Sequence, residues 1–447
     1  MRSIQWFVLL GLLAACNSLD SSDAAGAGAS HAAADDIDTI LDAPVPGQDV
    51  AAGLRCRPAN PDGSPALRID TVDMLFVIDN GVTMAEEQAA LAAQFPRMLE
   101  ALTTGDLDGD GEAEATPAED VHLGVVTTDM GLVGIQGVPG CANLGDDGVL
   151  NDAPDTELLE GCQSAYPPFL VFQPEIHDLP QTAQDLACLA TVGTDGCLFK
   201  QPLEAGLKAL WPSVDRDPET GQAFEPNRIL FLGDIDGVGQ LGHGDAQNAG
   251  FLRSDPTGLS LVSIVVVTNE EDCSSADTAH FTPNQFLDPE EPLAAQDMAL
   301  RCFFNPQNLY SLDRYINGFQ ALRPGNEHLV HFGAIVGVPP DLVDADARAA
   351  VDFDSQRQRD AYYDAVLADL RMQERVDPIR TDEGGPALTP ACEGEAGGAE
   401  PGRRFVTLAR RFGAQGSIGS ICDEDLGPAI DGILQTVSAG IGQVCLP

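Results

Sequence analysis

Basic residues are scarce in this chain. Its 447 residues carry 23 Lys plus Arg against 70 Asp plus Glu, a formal net charge of -47. A surface of that sign repels phosphate backbones and anionic lipid head groups, which excludes nucleic acid as a partner and argues against a polybasic membrane patch. Most of the acid reads as solvated surface, with a few residues open to cation binding. Long apolar runs are missing too: past the N-terminus no stretch of about 18 apolar residues without charge occurs, so no transmembrane helix is expected. There is no Cys-x-x-Cys, Gly-x-Ser-x-Gly, His-Glu-x-x-His or phosphate loop, which removes the common redox, zinc, serine-hydrolase and nucleotide motifs. His328 and His331 are three apart in an expected strand and would face opposite sides, poor geometry for a joint zinc site. The chain is therefore not expected to be an enzyme; Asp79 with Glu270 as a hydrolytic acid pair is the remote alternative.

What is present begins at the N-terminus. Arg2, the apolar run Ile4 to Leu13 and Leu13-Ala14-Ala15-Cys16 have the order of a secretory signal. The pattern resembles a bacterial lipoprotein signal, which implies acylation at Cys16 and a lipid anchor in the membrane. Asn17 after the cysteine, rather than Asp, implies the outer membrane by the same resemblance. Eleven cysteines less a lipidated Cys16 leave ten, an even count that suits disulfides in an exported chain. Spacing does not fix connectivity. Neighbourhood in sequence, the sole basis available, would pair Cys141 with Cys162, Cys188 with Cys197, and Cys422 with Cys445.

The expected organisation is a signal peptide over 1–15, a flexible Ala/Gly/Ser/Asp-rich tether over 16–54 and one enlarged domain over 55–447. Apolar β-branched runs at Asp73 to Ile78, His122 to Thr127, Leu261 to Thr268 and His328 to Val338 read as buried strands. Helical spacing covers Met84 to Leu102, with Thr83 and Glu86 as a capping box and Pro96 as a kink or early end. Further helices are expected over Thr182 to Leu189, Pro202 to Trp211, Tyr310 to Leu322, Val351 to Gln373 and Leu426 to Ile441. Arg228 to Leu232 reads as extended and Phe405 to Ala409 as a late strand. Strands alternating with helices give an α/β fold: three layers, a mostly parallel, Rossmann-like sheet flanked by helices, with disulfide-braced insertions. Ligands in such folds sit beyond the carboxyl ends of the strands. The acidic residues of interest are expected there.

Two acidic stretches carry candidate chemistry. Asp79, Asn80, Gly81 and Thr83 follow the first strand, and Asn269, Glu270, Glu271 and Asp272 follow the Leu261 strand. Hard divalent ions take oxygen ligands of this kind. Asp106, Asp108, Asp110 and Gly111 match the first half of a calcium loop, but Pro117 stands where a bidentate glutamate belongs. Glu112, Glu114 or Glu119 would have to complete a Ca²⁺ site over 106–112. Asp234 and Asp236 form a weaker run of the same type.

The segment Asp73-Met-Leu-Phe-Val-Ile-Asp-Asn-Gly-Val-Thr-Met-Ala-Glu-Glu-Gln88 resembles the opening of a von Willebrand factor type A domain. With Val125 to Gly131, Gln201 to Ala205, Val267 to Ser274 and Gly419 to Cys422, the chain resembles more narrowly the cysteine-rich lipoproteins of myxobacterial type. The resemblance implies a metal-ion-dependent adhesion site for Mg²⁺ or Mn²⁺ built on Asp79 and Thr83. Gly81 replaces its first serine, and no threonine precedes the helix of Leu203 and Leu207. Asn269 replaces its last aspartate, where Glu270, Glu271 or Asp272 would have to substitute. The implied function is non-catalytic adhesion or ligand binding at the cell envelope through a degenerate site, with an envelope or extracellular protein or a polysaccharide as partner. The alternative is a purely structural envelope lipoprotein without metal-dependent binding.

Overall fold

The computed structural model describes residues 55–57, 67–155, 159, 161–213, 229–233, 239–253, 259–377, 387–394, 397–442 and 444–446. Cys16, the tether and Asp234 to Asp236 lie outside them. By contacts the chain divides into Met1–Val50 and Ala51–Pro447, and the architecture below belongs to the second unit.

Six strands form the central sheet: β1 (Thr71–Ile78), β2 (Asp120–Thr127), β3 (Leu170–Phe172), β4 (Leu261–Val267), β5 (Val330–Val336) and β6 (Gly416–Ser420). Their order is β6-β5-β4-β1-β2-β3, all parallel except β3, which runs antiparallel to β2. This is the doubly wound order 3-2-1-4-5-6 read from the other edge, and its reversal point lies between β1 and β4.

The expected α/β fold is therefore present, and the near-continuous apolar strands explain it. On β1, Val72, Met74, Phe76 and Ile78 face one core, while Leu75 and Val77 face the other. The first core packs on α1 (Ala85–Ala92), α2 (Phe95–Thr104), α3 (Leu179–Ala190) and α8 (Gly427–Gly440). The second packs on α4 (Pro202–Leu210), α5 (Leu312–Gln320), α6 (Gln356–Ala368) and α7 (Arg403–Phe412). No helix among the described residues is long and apolar enough to cross a membrane.

Several local expectations are corrected. The expected helix from Met84 to Leu102 is two helices, broken where Pro96 enters α2 near its start. Thr83 does not cap α1: Met84 holds the cap position without a side-chain bond, because the Thr83 hydroxyl is engaged by Asn269. Phe405 to Ala409 lies within α7. His328 sits in a 3₁₀ turn before β5, so it and His331 do not share a strand. The 106–112 loop follows α2 and leads towards the start of β2, at the end of the sheet opposite Asp79.

Among the described residues, disulfides join Cys141 to Cys197, Cys162 to Cys188, Cys273 to Cys302 and Cys392 to Cys422. All three pairings guessed from sequence neighbourhood are overturned, because the fold brings together loops 26 to 56 residues apart. A small separate sheet joins residues 55–57, 444–446 and 67–68, with Cys56 and Cys445 as register partners.

Candidate functional site

The carboxyl ends of β1, β2 and β4 converge on Asp79, at the reversal point of the sheet. The Asp79 amide extends the ladder by donating to Val267 O at 2.9 Å. Its Oδ1 accepts from Gly81 N at 2.7 Å and Thr128 Oγ1 at 3.4 Å, and its Oδ2 accepts from Thr268 Oγ1 at 2.6 Å. Thr128 follows β2 and Thr268 follows β4, so each neighbouring strand end contributes one hydroxyl.

A cation is already present. Lys200 Nζ lies 3.6 Å from Asp79 Oδ1 and donates to Cys197 O at 2.6 Å. Burial alone would lower the Lys200 pKa, but the charges of Asp79, Glu270 and Asp129 outweigh it, and the pKa is raised. Lys200 stands just before α4, in the stretch where the adhesion-site threonine was missing. Gly81 is the matching change: a Cβ there would come within 2.9 Å of Lys200 Cε and 3.0 Å of its Nζ. The first-serine position is thus empty of side chain where the lysine arrives.

The other expected ligands are placed differently. Thr83 Oγ1 accepts from Asn269 Nδ2 at 2.9 Å, so these two bond to each other. Glu270 is within electrostatic reach of Lys200. Glu271 is turned to backbone, its carboxylate accepting from Asp272 N and Arg404 N, each at 2.9 Å. Asp272 accepts from Ser274 Oγ at 2.7 Å and Arg404 Nε at 3.0 Å. Above them opens a cavity of about 890 Å³ lined by Lys200, Glu270, Asp272, Arg404, Cys273 and Cys302 among others, within the size range of small-molecule sites.

Glu87 on α1 is 6% exposed, and its Oε2 has no hydrogen-bond partner among the described residues. Desolvation raises its pKa to about 7. An acid whose folded pKa lies above its unfolded value adds stability at low pH and loses it as the pH rises from about 4.5 to 7. Glu87→Gln should therefore match the natural protein at pH 4.5 and exceed it at pH 8 by about 1–3 kcal/mol. Urea unfolding at both pH values checks this, and an equal difference at both would show that Glu87 does not titrate in that window.

Among the described residues, two groups of side chains bring three ligand atoms within 4.8 Å of one another and could in principle hold a metal ion: Asp106, Asp108 and Glu114, and Cys273, His280 and Cys302. In the first, Glu114 joins rather than Asp110, whose Oδ1 accepts from Glu112 N at 2.8 Å. Asp106 accepts from Gly109 N at 2.7 Å and Gly111 N at 2.8 Å, so the loop is also satisfied by its own amides. In the second, the two sulfurs are joined to each other, and no thiolate is on offer to a metal.

Sequence reading missed both lysines. Lys200 and Lys208 are the chain's two lysines, and they are 3% and 0% exposed. Lys208 is paired with Asp147, which also hydrogen-bonds His243 Nε2 at 3.0 Å. The signal available was that rarity, with a glycine at position 81 in the loop of Asp79 and Thr83. No family profile, curated protein or solved structure matches this chain.

Proposed function

We propose that the chain is a structural protein of the cell envelope, lipid-anchored at Cys16 and built on a von Willebrand factor type A-like module without metal-dependent ligand binding. The carrying observation is the Lys200 ammonium 3.6 Å from Asp79 Oδ1, beside a glycine that leaves room for it. A divalent ion at Asp79 would meet this buried positive charge at short range and would also have to displace hydroxyl and amide donors. The doubly wound sheet and the motif at Asp73 to Gln88 support the family reading. The order of Arg2, the apolar run and Cys16 supports the anchor. The cavity over the strand ends favours a second reading, recognition of an envelope or extracellular protein or polysaccharide without a metal at Asp79.

Calorimetry on the oxidised protein should show no Mg²⁺ or Mn²⁺ heat that depends on Asp79. Such heat, lost in Asp79→Ala, would overturn the metal-free reading. A Ca²⁺ signal lost on changing Asp106, Asp108 and Glu114 to their amides would assign a structural ion to that loop alone. Cys16→Ser should release the protein from the membrane fraction; retention there would remove the anchor from the proposal.

A further inference from the structure

Of the four disulfides described, Cys273–Cys302 is the one with an imidazole nitrogen against a sulfur; Cys141–Cys197 has the Lys200 ammonium near it, but on the Cys197 carbonyl at 2.6 Å. His280 is fully buried, with its Nε2 at 3.4 Å from Cys302 Sγ. Its other ring nitrogen, Nδ1, lies 3.2 Å from Asn308 Nδ2. With that amide donating, Nδ1 is the acceptor and Nε2 carries the hydrogen, aimed at the sulfur. Beside it lies Arg301, also fully buried. Its guanidinium is bound by neutral oxygens: His280 O at 2.9 Å, Thr282 O at 2.5 Å, Leu293 O at 3.4 Å and Asn284 Oδ1. Asp297 and Asp277 are the acids that act on this pair, and no ion pair to Arg301 is found among the described residues.

The two sulfurs are unequal. Cys302 is half-buried and faces the imidazole N–H, whose own backbone carbonyl is held by the Arg301 guanidinium. Cys273 is buried, follows the acids Glu271 and Asp272, and is tied by its amide to Lys200 O at 2.8 Å. Both line the cavity over the strand ends. By contrast, the nearest polar side-chain contacts of the Cys162–Cys188 and Cys392–Cys422 bridges are neutral: Gln184 Nε2 at 3.6 Å from Cys188 Sγ, and Ser420 Oγ at 3.9 Å from Cys392 Sγ. Cationic and hydrogen-bond-donating surroundings favour the thiolate, make it the better leaving group and stabilise the reduced form of a bridge.

We propose that Cys273–Cys302 is an exchangeable disulfide that oxidises a dithiol substrate admitted to this cavity, with Cys302 as the reacting sulfur and Cys273 as its buried partner. A substrate thiolate attacks Cys302 Sγ. A substrate–Cys302 bond forms, the Cys273–Cys302 bond breaks, and Cys273 leaves and takes a proton. The second substrate thiolate then attacks the first substrate sulfur, releasing Cys302 as a thiolate that receives the His280 Nε2–H hydrogen bond. The substrate gains a disulfide and loses two protons and two electrons; the protein's disulfide takes up both electrons and becomes two cysteines. His280 acts here as a positioning and stabilising group, and Arg301 holds its backbone carbonyl and, adding to burial, keeps the imidazole neutral. The proposal is independent of the metal-free reading of Asp79.

The test is a glutathione redox series on the purified full chain, with thiols alkylated at each poise and located by mass spectrometry. Cys273–Cys302 should open at a ratio of reduced to oxidised glutathione about tenfold below that needed for the other three bridges, a difference of about 30 mV. The mixed disulfide trapped on the way should sit on Cys302, and a reduced dithiol peptide should be oxidised at one equivalent per protein. His280→Phe should slow Cys302 alkylation at pH 6.5 by about tenfold, through loss of the thiolate's donor. Opening together with or after the other bridges, a mixed disulfide on Cys273, or alkylation unaltered in the His280 variant would each overturn the proposal. If that variant does not fold, the order of opening in the natural protein decides.

Discussion

Replacing Asp73 by alanine should cost about 3–5 kcal/mol, enough to remove much of the stability of an ordinary domain. Asp73 enters β1 from the end of the sheet opposite Asp79 and is fully buried. It accepts from Arg253 N at 2.8 Å, from Arg253 Nη1 and from Ser260 Oγ, and Arg323 Nη2 lies 3.6 Å away. Arg323 is itself 1% exposed and holds Ser260 O at 2.8 Å and Arg253 O at 2.7 Å. Removing the carboxylate strands the fully buried Arg323 guanidinium and takes one of two acids from Arg253, which keeps Asp120. Breaking a buried pair from one side leaves an uncompensated charge, which is why the loss exceeds that of an exposed ion pair. Urea unfolding of Asp73→Ala beside the surface control Arg371→Ala checks this. A loss below about 1 kcal/mol would mean that Arg323 finds water or another acid.

The second large effect concerns the strand-end pair. Asp79→Asn should cost about 3–5 kcal/mol, because Lys200 stays buried without the carboxylate that faces it. Lys200→Met should also destabilise. The double variant Asp79→Asn with Lys200→Met should return to within about 1–2 kcal/mol of the natural protein, since neutral groups of similar shape replace both charges. The signature is this non-additivity, measured as a double-mutant cycle in urea. Additive losses would show that the two charges are not coupled and would remove lysine as the resident cation of the site.

The four central strands of the sheet were legible because they are apolar nearly throughout, while the edge strands Leu170–Phe172 and Gly416–Ser420 were not. Val72 to Ile78 and Leu261 to Val267 are apolar enough that no helical reading competes. Helices failed where a short window hid the period. Phe405 to Ala409 looks like a strand in isolation, but Phe405, Val406, Leu408, Ala409 and Phe412 are buried on one face of α7. The edge strand Gly416–Ser420 has little apolar signal because its neighbours come too close for larger residues: a Cβ on Gly419 would lie 2.3 Å from Ala429 Cβ. At the site, Asp79 was readable because one loop holds its motif. Lys200 was not, since it reaches Asp79 from 121 residues further on, through a loop bridged by Cys141–Cys197. Local patterns carry no information on such a pairing. Disulfide connectivity failed for the same reason.

The small sheet of residues 55–57, 444–446 and 67–68 bears on how the protein withstands mechanical force. It joins the strand that follows the first 54 residues to the last described strand of the chain, antiparallel and in register from Arg55–Leu446 to Arg57–Val444. Tension applied to the chain ahead of Arg55 would first load this short ladder. The pull would be taken up by bonds between the two ends of the domain, leaving the doubly wound sheet unloaded until they part.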